Sequence, residues 1–283
     1  MNIPVRLWTW GSGTPRRRWT VLVAATFCVV ALSTTFAQRR YGGGLPSSYK
    51  AFGANGKYDG RFRFARLKYE CMSPPGYRGC WYYMNEPSWE HGYPMSEQNL
   101  MQIIDAMTSL HPHIEDSEVL AMDDPELLKY PVSYMTEGSF WITNDKEASA
   151  LGAYLKKGGF LIADDFRDDF YRGSAGWANF DANIQRAIPG GRFIDLTVDD
   201  PIFHSFFEIN SLASIPQDYD QGPPIFRGLF EDNDPKKRML VMANFNTDVS
   251  NWWEFAGQGK YVVDLTNQAY KLGVNYLVYG LTH

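Results

Sequence analysis

The chain is poor in cysteine, with three in 283 residues, at positions 28, 71 and 80. That excludes a disulfide-dense scaffold and a zinc module built on paired C-x2-C motifs. Long apolar runs are also missing. The most apolar stretch, Trp19–Leu32, has 14 residues, short of the about 20 that a spanning helix needs, so a multi-span membrane protein is excluded. No low-complexity tract or fixed-period repeat is present, which rules out collagen-like and solenoid architectures. No Lys/Arg cluster suited to phosphate contact follows Arg40, so nucleic acid is not an expected partner.

What remains is an ordinary globular composition, 45% apolar and 21% charged, with 18 Phe, 17 Tyr and 9 Trp. The length allows one large domain or two small ones and a sizeable core. The first 37 residues stand apart. They carry Arg6, Arg16, Arg17 and Arg18 and no acid, then Trp19–Leu32, then the small-x-small pattern Thr35-Phe36-Ala37. This order reads as a signal peptide cleaved near Ala37, with an uncleaved anchor as the alternative. The arginine run also bears a faint likeness to a twin-arginine signal. Four of the 27 basic residues lie in this segment, so the remainder carries 23 against 32 acidic ones, about −9. The expected location is periplasmic or cell-envelope.

Export also gives meaning to the cysteines. Cys28 leaves with the signal, and Cys71 and Cys80 remain as an even pair around Pro74-Pro75-Gly76. In an oxidising compartment they read as a disulfide, against the alternatives of a reactive thiol or a metal pair.

Residues 38–60 are rich in Gly, Ser and Tyr without periodicity, a linker. Residues 61–283 then alternate strand and helix patterns. A strand is expected over 61–69, with Phe62, Phe64 and Leu67 facing one way. A helix capped by Ser96 follows to Leu110, then a strand over 132–136. The next helix begins at a capping box of Asn144 and Glu147 and stops at Gly158-Gly159. An apolar strand over 160–163 follows, then a helix at 177–187, strands at 193–196 and 239–243, and a terminal helix over 267–281. This alternation gives an α/β fold with a largely parallel, doubly covered sheet. In such folds sites lie beyond the carboxyl ends of the strands, where Glu137 and the pair Asp164-Asp165 fall.

Five stretches, LLKYPVSYMTEGSFWIT, LGAYLKKGGFLIADDF, DDPIFHSFF, NFNTDVSNWWE and LGVNYLVYGLTH, resemble domain-of-unknown-function family 4159 over roughly residues 61–283. Members of that family are exported or membrane-anchored bacterial proteins. The resemblance implies a flavodoxin-like fold, similar to class I glutamine amidotransferases, and no settled activity. Working amidotransferases place a nucleophilic Cys in the turn after the strand that here reads GGFLIADDF. Asp164 and Asp165 stand there instead, so glutaminase chemistry is not expected.

Candidate catalytic residues are Glu137, Asp164, Asp165 and His204, with Asp200 placed to orient the imidazole. Each also has a structural reading, as a turn, cap or ion-pair residue. Candidate binding residues are Tyr134, lining the crevice, then Asp248, Trp252, Trp253, Glu254 and the terminal His283. Asn246, Asp248, Asn251 and Glu254 form an oxygen-rich run whose spacing is not that of an EF-hand loop, and relatives carry an acid where Asn251 stands. His111 and His113 read as solvated polar sequence. No metal and no cofactor are assigned.

Three functions fit these residues. The first and preferred one is a non-catalytic exported binding or assembly module, with an envelope protein or glycan on a Trp-rich face. The second is a carboxylate- or metal-dependent hydrolase at the strand carboxyl ends. The third is a structural component of an envelope complex, held at the membrane only by an uncleaved signal.

Overall fold

A computed structural model describes residues 55–71, 87–115, 117–168, 175–215 and 222–283. All lie in one compact unit, Ala54–His283. The signal segment, most of the linker, Cys80, Trp81, Tyr82 and Tyr83 fall outside the described residues.

The fold is mixed α/β. Its elements run β1 (Ala65–Lys68), β2 (Glu70–Cys71), α1 (Met95–Met107), β3 (Glu118–Ala121), β4 (Val132–Thr136), β5 (Trp141–Ile142), α2 (Asp145–Lys156) and β6 (Phe160–Phe166), then α3 (Gly176–Ala187), β7 (Phe193–Asp195), β8 (Ile225–Phe230), β9 (Met239–Phe245), α4 (Val249–Glu254) and α5 (Val263–Thr282). Seven strands form one sheet in the order β3-β1-β4-β6-β9-β8-β7. The first five are parallel, and β8 and β7 extend them antiparallel. Strands β2 and β5 form a separate antiparallel ribbon.

Strand alternation sorts the apolar residues into two cores. Phe160 and Ile162 face one with Leu100 and Ile104 of α1, Trp252 and Trp253 of α4 and Leu272 of α5. Leu161 and Ala163 face the other with Leu151 and Leu155 of α2 and Phe180 and Ile184 of α3. Both sheet faces are therefore covered, as near-continuous apolar strands require.

Local signals hold closely in α2. Asn144 Oδ1 accepts from the Glu147 N–H at 2.9 Å, and Glu147 Oε2 accepts from the Asn144 N–H at 3.1 Å. Gly158 ends the helix in the left-handed region, φ 115°. Because Asn144 is exposed, its cap is separable from packing. Asn144→Ala should cost about 1 kcal/mol, read as a lower denaturation midpoint at unchanged slope.

Four details differ. Leu67 does not share a face with Phe62 and Phe64, because period two puts Ala65 and Leu67 on the opposite side. Helix α1 starts at Met95, so Ser96 lies inside it, its hydroxyl bonded to Gly92 O at 3.1 Å rather than capping. Strands β3 and β8 add to those expected. The end of the expected linker is anchored, since Asn55 pairs with both backbone groups of Val119.

Candidate functional site

Three neighbouring parallel strands end in a polar, non-glycine residue with left-handed backbone. These are Glu137 after β4 (φ 56°), Asp165 in the last turn of β6 (φ 56°) and Asn246 after β9 (φ 60°). Such conformers are uncommon outside glycine, although Asn and Asp tolerate them best. At Asp165 the β6–β9 register shifts between Ala163 and Phe166. A residue bulged out of register has its side chain re-aimed. Asp164 and Asp165 therefore serve different surroundings.

Asp165 reaches His91, which precedes α1. His91 Nδ1 lies 2.6 Å from Asp165 Oδ2 and 3.6 Å from Glu137 Oε1. The three side chains are 34%, 2% and 12% exposed respectively, a half-open imidazole over two largely buried carboxylates. Thr136 Oγ1 donates to Asp165 Oδ2 at 3.3 Å. The Glu137 N–H is shared by the Asp164 and Asp165 carbonyls at 3.1 Å each. The Tyr69 hydroxyl sits 2.9 Å from Glu137 O.

His91 is held from behind by Arg66 of β1, which is fully buried. Arg66 Nη1 donates to the carbonyls of Trp89 and His91 at 2.9 and 2.8 Å, while Nε pairs with Glu97 of α1. Its guanidinium also stacks over Tyr93 and Tyr134. Gly92, at φ 73°, completes the turn. A Cβ there would come within 3.3 Å of both Glu254 Oε2 and Ser96 Oγ.

Asp164 faces the other core. It accepts from Tyr134 Oη at 2.9 Å, Asn244 Nδ2 at 3.0 Å and the N–H groups of Val249 and Ser250 at 3.3 and 2.9 Å. It ties β6 to the start of α4. Burial raises its pKa to about 6, with the Asn244 bond opposing and the Asp165 charge adding. Burial and then the Asp165 charge push Asp248 well above the carboxylate range. For His91, burial opposes the charge, yet Asp165, then Asp248 and Glu137, hold its pKa well above the ordinary histidine value. Burial raises Glu254, with the His91 charge pulling it back.

The remaining candidates disperse. Tyr134 is buried, with its hydroxyl on Asp164. Asp248 caps α4 through Asn251 N at 2.9 Å. Trp252 and Trp253 are 5% and 2% exposed, so they pack in the core and offer no stacking face. His204 is bound by Glu208 at 2.7 Å and by Val198 O at 2.6 Å. The Glu208 hydrogen bond raises its pKa. Asp200 does not orient it, because its carboxylate accepts from Thr197 N instead. His283 stacks on Tyr279 at 4.3 Å. The oxygen-rich run forms no cage, since Asn246 bonds Gly222 and Pro223 carbonyls and Asn251 bonds Tyr261 Oη. His111 pairs with Asp105 at an exposed position and His113 with Asp59.

The site is thus built from Glu137 and Asp165, which the strand-end rule found, and His91, which it did not. Its three donor atoms all lie within 4.8 Å of one another, close enough to share one ion. The family model described as "Domain of unknown function (DUF4159)" matches residues 63–281. The chain belongs to the DUF4159 family. No curated protein matches it. The matched span of this DUF4159 chain contains all three site residues together with Arg66, Tyr69 and Glu97 behind them. One signal for His91 was available in the sequence. It lies in the first strand-to-helix crossover, and those crossovers leave a parallel sheet at its carboxyl edge.

Proposed function

We propose that this DUF4159 chain is a hydrolase whose reactive centre is His91, Glu137 and Asp165, at the carboxyl ends of β4 and β6. The observation that carries the reading is the 2.6 Å contact between a half-open imidazole and a buried, left-handed aspartate. A buried carboxylate on Nδ1 fixes the orientation of a ring that is 34% exposed, the arrangement that general acid–base catalysis by an imidazole uses. Strained polar residues cluster at functional sites. A second carboxylate beside the imidazole supplies either a proton acceptor or charge for a bound group.

The binding-module reading loses Trp252 and Trp253 as a recognition face, because both are interior. The fold supports the hydrolase reading from another direction. In chain order the five parallel strands stand 2-1-3-4-5, the order of flavodoxin-like doubly wound sheets, whose ligands bind beyond the strand carboxyl ends. We extend this to an amidotransferase-like scaffold in which Asp165 occupies the turn that a nucleophilic Cys takes in active relatives of that fold.

The test is a panel of chromogenic carboxylic esters, anilides, glycosides and phosphoesters. At least one class should turn over, and His91→Ala should abolish it while His204→Ala leaves it unchanged. A panel in which no class responds would leave the binding module as the better account.

Export and the Cys71–Cys80 bond belong to the same proposal. Among the described residues no helix is long and apolar enough to cross a membrane. Protein recovered from an envelope fraction should begin at Gln38 and resist alkylation of Cys71 and Cys80 until reduced. A chain beginning at Met1 would favour the anchored form, and ready alkylation would remove the disulfide.

A further inference from the structure

We propose that His91, Glu137 and Asp165 together hold a single divalent cation of the zinc or manganese kind. The proposal rests on the hydrolase reading for the class of reaction only, since an ion on Nδ1 and Asp165 would replace their hydrogen bond and make a metal-activated water the reactive group; geometry says where the ion binds. An ion 2.0–2.2 Å from each ligand tolerates ligand atoms no more than about 4.4 Å apart. The 3.6 Å contact from His91 Nδ1 to Glu137 is close to the about 3.4 Å between ligands of a tetrahedral ion, the 2.6 Å hydrogen bond to Asp165 must open by less than about 1 Å when its hydrogen leaves, and the whole set spans no more than 4.8 Å, which small rotations of Glu137 bring into range.

The donor set decides the class of ion. One imidazole nitrogen with two carboxylates suits zinc or manganese, whereas calcium and magnesium sites are built from oxygen. This is not a patch of surface acids. The ligands come from three separate segments, and each is anchored by a residue outside the set. Arg66 holds the His91 carbonyl, Tyr69 lies on the Glu137 carbonyl, and Thr136 donates to the Asp165 carboxylate. The Thr136 bond acts on a ligand group itself, the kind of support that fixes ligand orientation in metal sites, and the other two fix the backbone that carries the ligands. The half-open imidazole gives a route from solvent. On binding, the ion takes the lone pair of Nδ1, and the hydrogen lying between Nδ1 and Asp165 leaves to solvent. The described residues supply three ligands, which would leave a position for water, as in catalytic rather than structural zinc sites.

The experiment uses the full chain, stripped with chelator and then titrated with Mn2+ by electron paramagnetic resonance and with Zn2+ by calorimetry. One ion per chain is expected. Glu137→Gln and His91→Ala should each weaken binding by about 100-fold or more, and His204→Ala should not change it. His91 is on the open side of the site, so its variant tests the ligand even if a buried carboxylate variant fails to fold. No binding to wild type, or equal binding by wild type and His91→Ala, overturns the proposal. Hydrolysis that survives chelator overturns the ion and keeps the centre. Binding without hydrolysis of any panel substrate keeps the ion and overturns the function.

Discussion

Asp165→Asn should lower turnover on any responsive substrate by about 10^3-fold while leaving the melting temperature near that of the wild type, the lost attraction to His91 offsetting the relieved repulsion. The substitution separates chemistry from folding for three reasons. Asn has the shape of Asp and is among the few residues that tolerate left-handed backbone, so φ 56° at position 165 is kept. Thr136 still finds an oxygen to bond. Removing the charge relieves repulsion on Asp164 and Asp248, both of which are raised in part by Asp165. What is lost is the negative charge 2.6 Å from His91 Nδ1. A variant equally stable and equally active would place the chemistry elsewhere.

Arg66→Met should destabilise the fold by about 3–5 kcal/mol, because it leaves Glu97 buried without its partner. Arg66 is fully buried and Glu97 is 2% exposed, so solvent cannot take over either charge. The carbonyls of Trp89 and His91 lose their donor as well. The double variant Arg66→Met, Glu97→Met should recover most of the loss, since an apolar pair of similar volume replaces a buried ion pair at little cost. Urea titrations of the two single variants and the double variant give the coupling directly. Additive losses would mean that the pair is not energetically linked.

The two predictions involve residues that differ in how readily the sequence disclosed them. Glu137 and Asp165 were legible because periodicity located β4 and β6, and parallel sheets carry sites at their carboxyl ends. The left-handed turn that re-aims Asp165 was not legible, because a register shift depends on how β6 meets β9. Arg66 stands in a stretch, RFRFARLKY, whose apolar and basic residues alternate, a pattern that puts basic side chains outward. Arg66 is instead interior, because β1 lies between β3 and β4 and is covered on both faces. Its charge is matched by Glu97, 31 residues away in sequence, a separation that no local pattern encodes. Trp252 and Trp253 were recognised as a feature, but composition does not say which way a six-residue helix faces. His204 sat in an apparently purposeful Asp-Pro setting, yet the four-residue step to Glu208 decided its partner. His91 carried no periodic signal, and only its place in a crossover connects it to the strand ends.

The measurement that tests the account most directly is nuclear magnetic resonance of the imidazoles in chelator-treated, 15N-histidine-labelled protein. The chain has five histidines, so variants assign each one. The account predicts that His91 carries a slowly exchanging Nδ1 proton, strongly downfield because it bonds a buried carboxylate, and that Asp165→Asn removes or sharply shifts this signal without moving those of His204 and His283. A His91 ring with the averaged signals of a solvent-exposed imidazole, indifferent to Asp165→Asn, would contradict the site on which the proposed function depends.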